Sequence, residues 1–178
     1  MIRRVLVGAA AALVAVACSS SSKPAQSKPA QPRPLTVADI NAVFHATSEA
    51  NYPNVHFTAG LSSSTSDGHG GTFTAVLGLR DPSGDGKGMI VGFWHEDAFI
   101  GLAQNFEVLA VSGIRRAGPG RFTVSYLNYR DTDPLCCPTG TPAELHIVYH
   151  WTGKAFVTDK PLPKNLYRSG AEVVVPPR

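Results

Sequence analysis

No apolar run in this chain is long enough to cross a bilayer as a helix. The run at residues 5–17 is thirteen residues long, where a hydrocarbon core of ~30 Å requires about 20. Cysteine is scarce too, with three in 178 residues and no Cys-x-x-Cys pair. The absence of that spacing argues against a dithiol redox enzyme, and adjacent thiols give poor support for a structural zinc site. There is no Gly-x-Ser-x-Gly elbow, and the serines cluster in low-complexity stretches, so nucleophilic catalysis has no visible motif. No repeat of fixed period occurs. No basic face or arginine-rich helix is present, which argues against nucleic acid as a partner.

What is present begins with an address. Met1-Ile2-Arg3-Arg4 is a short basic region, and the apolar run after it ends "LVAVAC". Ala15-Val16-Ala17 has the small-x-small form of a cleavage site, so residues 1–17 read as a signal peptide. The same six residues resemble a bacterial lipobox, with Ala15 where leucine is usual. Cys18 then becomes the first mature residue and the expected site of lipidation; an unacylated, secreted form is the alternative. Residues 18–35 contain a serine run and "KPAQSKPAQPRP", a flexible tether suited to an anchor. A diacylated cysteine supplies two chains, enough for stable membrane attachment. The tether from Ser19 to Leu35 carries +3 from Lys23, Lys28 and Arg33, whereas residues 36–178 carry −2. A basic tether suits an anionic membrane surface.

In an oxidising compartment the remaining thiols, Cys136 and Cys137, have three outcomes: a disulfide to each other, free thiols, or bonds to another chain. Neighbouring Cα atoms sit about 3.8 Å apart, closer than the usual ~4.4–6.8 Å of a disulfide. A vicinal bond is therefore possible but strained, and it would stiffen the loop "DTDPLCCPTGTP".

Residues 36–178 suffice for one domain with a core. "LTVADINAVFHATSEA" predicts a helix, with Thr36 as N-cap, Asp39 completing a capping box, and Val37, Ile40, Val43 and Phe44 as its apolar stripe. Leu35 is placed to staple it. The rest alternates as strands: "VHFTAGL", a Ser/Gly loop at 62–71, "TFTAVLGLR", the fully apolar "MIVGFWH", "AFIGLA", "FEVLAVSGI", "RFTVSYLNYR", "ELHIVYHW" and "AFVTD". The expected class is α+β, with one N-terminal helix packed on a meandering antiparallel β-sheet. The tail is expected along the surface, "EVVV" serving as an edge strand.

Two stretches, "FWHEDAFIGLA" and "YRDTDPLCCPTG…VYHWTGKAF", together resemble the LppP/LprE lipoprotein family of mycobacteria and their relatives. Cys136 to Gly140 is the most specific element, and Ala98 stands where glycine is expected. The similarity runs over roughly residues 35–165. It implies an exported, membrane-anchored envelope protein and no established reaction.

Other candidate sites meet simpler readings. His146 and His150 lie on one side of "ELHIVYHW", opposite Leu145, Ile147, Tyr149 and Trp151. At ~3.3 Å per residue they stand about 13 Å apart, too far to share an ion. "DPSGDGKG" imitates the start of a calcium loop at Asp81, Ser83, Asp85 and Gly86, but Met89 and Gly92 fall where later ligands are needed; turn chemistry accounts for the same residues. Glu96 and Asp97 are adjacent and diverge in a turn, which does not make a glycosidase pair. No catalytic residue, metal ligand or cofactor is assigned. The leading expectation is a non-enzymatic binding module for an unknown envelope ligand or protein, with Cys136, Cys137 and Pro138 as its surface. Trp94 and Trp151 are candidate aromatics for that surface, with a core position as their alternative. A hydrolase with a His-containing pocket is the second expectation.

Overall fold

The computed structural model describes residues 33–49, 53–83, 86–130, 132–134 and 136–175. The signal peptide, Cys18, most of the tether and Asp85 lie outside the described residues. Helix α1 (Val37–Ala46) begins as its sequence predicts. The Thr36 hydroxyl accepts the Asp39 amide at 3.2 Å, and the Asp39 carboxylate accepts the Thr36 amide at 3.0 Å. Arg33 adds a two-pronged bond to the same carboxylate, at 2.7 and 2.9 Å. Ile40 and Phe44 form the buried face, and Leu35 and Val43 pack partly against their cluster. Val37, expected in the stripe, is exposed and takes no part in that cluster.

The strands are β1 (Ser48–Glu49), β2 (His56–Ser66), β3 (Thr72–Asp81), β4 (Met89–His95), β5 (Ala98–Leu102), β6 (Phe106–Val108), β7 (Val111–Gly118), β8 (Arg121–Leu127), β9 (Glu144–Trp151), β10 (Phe156–Thr158) and β11 (Tyr167–Val174). All pairings are antiparallel. The α+β class with a helix on an antiparallel sheet holds, and the meander divides in two. One sheet runs β1-β11-β6-β4-β3-β2, with β5 also on β4; the other runs β10-β9-β8-β7.

The division explains the apolar strand 89–95. On one face of the larger sheet, Phe73, Ala75, Leu77, Val91 and Phe93 meet Phe122, Val124, Tyr149 and Phe156 of the smaller sheet. Phe93 and Phe156 stack with centroids 4.3 Å apart. On its other face, Val76, Ile90 and Trp94 receive Ile40 and Phe44 of the helix. A strand covered on both sides has no use for alternation.

Two expectations change. Residues 62–66 continue β2 rather than looping, because each pairs with β3. The tail contributes β11 between β1 and β6 instead of lying at an edge, and Val173 is buried there.

Candidate functional site

Residues 128–143 link β8 to β9 and carry the cysteine pair. Asp133 organises the loop. Its carboxylate accepts the Arg130 amide at 2.8 Å, the Thr139 amide at 2.7 Å and the Thr139 hydroxyl at 2.5 Å. These bonds, the Arg130 amide first, hold the Asp133 carboxyl below the usual carboxylate range. The Cys137 amide donates to Pro134 O at 3.0 Å, closing a turn around the pair. Both cysteines are exposed and Pro138 is half-buried. Their Cα atoms are 3.8 Å apart, with the two Sγ atoms facing each other at bonding reach.

Asn128 fastens the far side of the loop. Its carbonyl accepts the Gly140 amide at 2.9 Å, and its side chain donates to Pro142 O at 2.8 Å. A Cβ at position 140 would overlap the Asn128 carbonyl and side chain, so the glycine that closes "CCPTG" is demanded by close approach. Asn165 braces Asn128 from below at 3.3 Å and also donates to the Tyr129 carbonyl. Tyr129 is buried, with the Lys87 ammonium 5.4 Å over its ring. These bonds hold the described residues of the loop to the ends of β8 and β9 and to Asn165.

The tryptophans do not join it. Trp94 is buried between sheet and helix, packed on Phe44 and Phe99 at 5.4 and 5.0 Å. Trp151 packs on Phe73 and Phe156. It ends β9 seven residues from Glu144, roughly 23 Å along the strand from the loop. Asn128, Asp133 and Asn165 are the supporting residues that sequence reading missed. Asp133 is the one with a signal, an Asp-Pro step six residues before Thr139.

The histidines take separate positions. His146 faces outward from the smaller sheet, its Nδ1 2.8 Å from the Ser125 hydroxyl. It lines a shallow depression of about 200 Å³ with Val148, Thr158, Asp159 and Lys160. His150 stands 3.5 Å from Asp159, and His95 Nε2 lies 3.0 Å from Asp67. Among the described residues, no three His, Cys, Asp or Glu side chains gather to hold a metal ion, and no helix is long and apolar enough to cross a membrane.

In comparison with known families, residues 70–154 match the LppP/LprE lipoprotein family. This bears out the resemblance drawn from the two motifs, over a narrower span than expected, from β3 to the turn after β9. It marks the chain as similar to envelope lipoproteins. No curated protein matches the chain, and no solved structure does.

Proposed function

We propose, with the LppP/LprE match as premise, that this is an exported envelope lipoprotein held on the extracytoplasmic face of the cell membrane by an acylated Cys18. Its domain is a non-enzymatic binding module, and Cys136 and Cys137 are disulfide-bonded to one another in the exported protein. The observation that supports binding is the Asp133-centred loop, which exposes both cysteines on a backbone already fixed by hydrogen bonds. A surface ordered in advance loses little entropy on association. Intact mass of protein from native membranes tests the chemistry: acyl mass beginning at Cys18, and two alkylations on a monomer only after reduction. A photocrosslinker at exposed Thr132 tests the module. A discrete adduct, lost when Cys136→Ser and Cys137→Ser are combined in a folded protein, supports it; an unchanged adduct removes the cysteine pair from the binding surface.

The hydrolase reading draws on one contact, the Ser125–His146 hydrogen bond beside Asp159 and Lys160. Ser125 is nearly covered, which places the nucleophile beneath its base. Fluorophosphonate labelling of Ser125 that disappears in His146→Ala would favour this second reading.

A further inference from the structure

The hairpin joining β7 and β8 reads "RRAGPGR" and exposes Arg115, Arg116 and Arg121. None of the three makes an ion pair among the described residues. Its position is fixed by the larger sheet: Thr65 donates to Gly118 O at 2.7 Å, and the Gly120 amide donates to Ser66 O at 2.8 Å. Ser66 pairs with Thr72, and Thr72 lines one small cavity with Pro34 and Leu35. The hairpin therefore sits at the end of the domain where the chain enters from its tether. The carboxylates of that end are engaged elsewhere. Asp39 and Asp97 face Arg33, Asp67 holds His95 and its own turn, and Glu96 accepts the Thr72 amide.

We propose that the Arg115–Arg116–Arg121 hairpin docks on the anionic headgroups of the membrane from which the tether rises. The inference rests on the anchored reading for its geometry, since the tethered end is the one that meets lipid. Guanidinium groups with no ion pair among the described residues have their donors open to phosphates, which arginine can grip with two donors at once. Each basic residue near an anionic surface changes partitioning by roughly fivefold, and attraction of this kind fades beyond about 8 Å at physiological salt.

The test uses the chain from residue 18 onward with Cys18→Ser, which keeps the compact unit Pro32–Arg178 whole and makes the outcome independent of acylation. Sedimentation with phosphatidylglycerol–phosphatidylcholine vesicles, against phosphatidylcholine alone, should show binding only to the anionic vesicles and loss of it at high salt. Combining Arg115→Gln, Arg116→Gln and Arg121→Gln should weaken it on the order of a hundredfold, with an unchanged melting temperature. Lys23→Gln with Lys28→Gln is the tether control. Binding that survives the hairpin variant and vanishes in the tether variant overturns the proposal, and so does failure of the parent to bind anionic vesicles. Absence of acyl mass at Cys18 would instead strike the anchored reading and leave the vesicle result standing.

Discussion

Phe44→Ala should remove the main attachment of the helix to the sheet. Phe44 is fully buried, and its ring stands edge-on to Trp94 at 5.4 Å and 85°. The sheet beneath has been cleared to admit it. A Cβ at Gly92 would lie 2.6 Å from Trp94 Cζ3 and 3.2 Å from Phe44 Cε1. One at Gly78 would lie 2.7 Å from Ile90 Cγ1 and 3.2 Å from Phe44 Cζ. Truncating a buried phenylalanine costs about 3–5 kcal/mol, out of a total stability on the order of 5–15 kcal/mol. For a domain of this size that lowers the melting temperature by roughly 8–16 °C. Gly92→Ala overfills the same socket and should cost about 1–3 kcal/mol. In the double variant the new methyl gains part of the space Phe44 vacated, so the losses should fall short of additivity by at least about 0.5 kcal/mol. Urea unfolding followed by tryptophan fluorescence measures all three. A Phe44→Ala loss under about 1 kcal/mol would refute the docking of α1, and strict additivity would refute the shared socket.

Arg80 pairs with Glu107 at 2.9 Å, the carboxylate being fully buried. Arg80→Met should cost roughly 3–5 kcal/mol, and adding Glu107→Leu should restore much of it; the same urea assay reads both. Gly140→Ala should cost about 1–3 kcal/mol through overlap with Asn128, with amide exchange accelerated in residues 128–143 and little change in β4. Acid should weaken the fold in a defined window. Hydrogen bonding, first from the His69 amide, holds the Asp67 carboxyl down at about 2, and Asp133 is held low as well. A folded pKa below the unfolded one gives stability that is complete above about pH 4 and is lost as pH falls through the folded value. Melting temperature should therefore decline between about pH 4 and 2, and less steeply in Asp67→Asn; a flat profile would contradict the assignment.

The helix was legible because its signal is local: Thr36, Asp39 and the apolar spacing lie within ten residues and specify a cap and a face. The strand 89–95 was legible for a related reason, since burial on both faces leaves an unbroken apolar run. The splitting of the strands into two sheets was not. Nothing between Leu109 and Val111 announces that β7 leaves the sheet that β6 belongs to, because that choice depends on partners far along the chain. The tail misled for the same reason: its pairing with residues 48–49 and 106–108 spans the whole domain. In the candidate loop, the cysteines and Gly140 stood out by composition. Asp133 and Asn128 did not, because ordinary polar residues acquire their roles only when the backbone folds back on them. Trp94 and Trp151 illustrate the converse, large aromatics whose position was decided by packing rather than by nearness to a motif.

Strand β3 runs from Thr72, beside Pro34 and Leu35, to Asp81; at that end the Arg80 amide donates to Gly88 O, the Gly88 amide to Leu109 O and the Leu109 amide to Leu166 O, next to Asn165 of the cysteine loop's bracing. Nine steps of about 3.3 Å put those ends on the order of 30 Å apart. Sites so far apart with no shared partners respond to substitution independently. Substitutions in the arginine hairpin and in the cysteine loop should therefore add without coupling, so that each site can be altered while the other keeps its geometry.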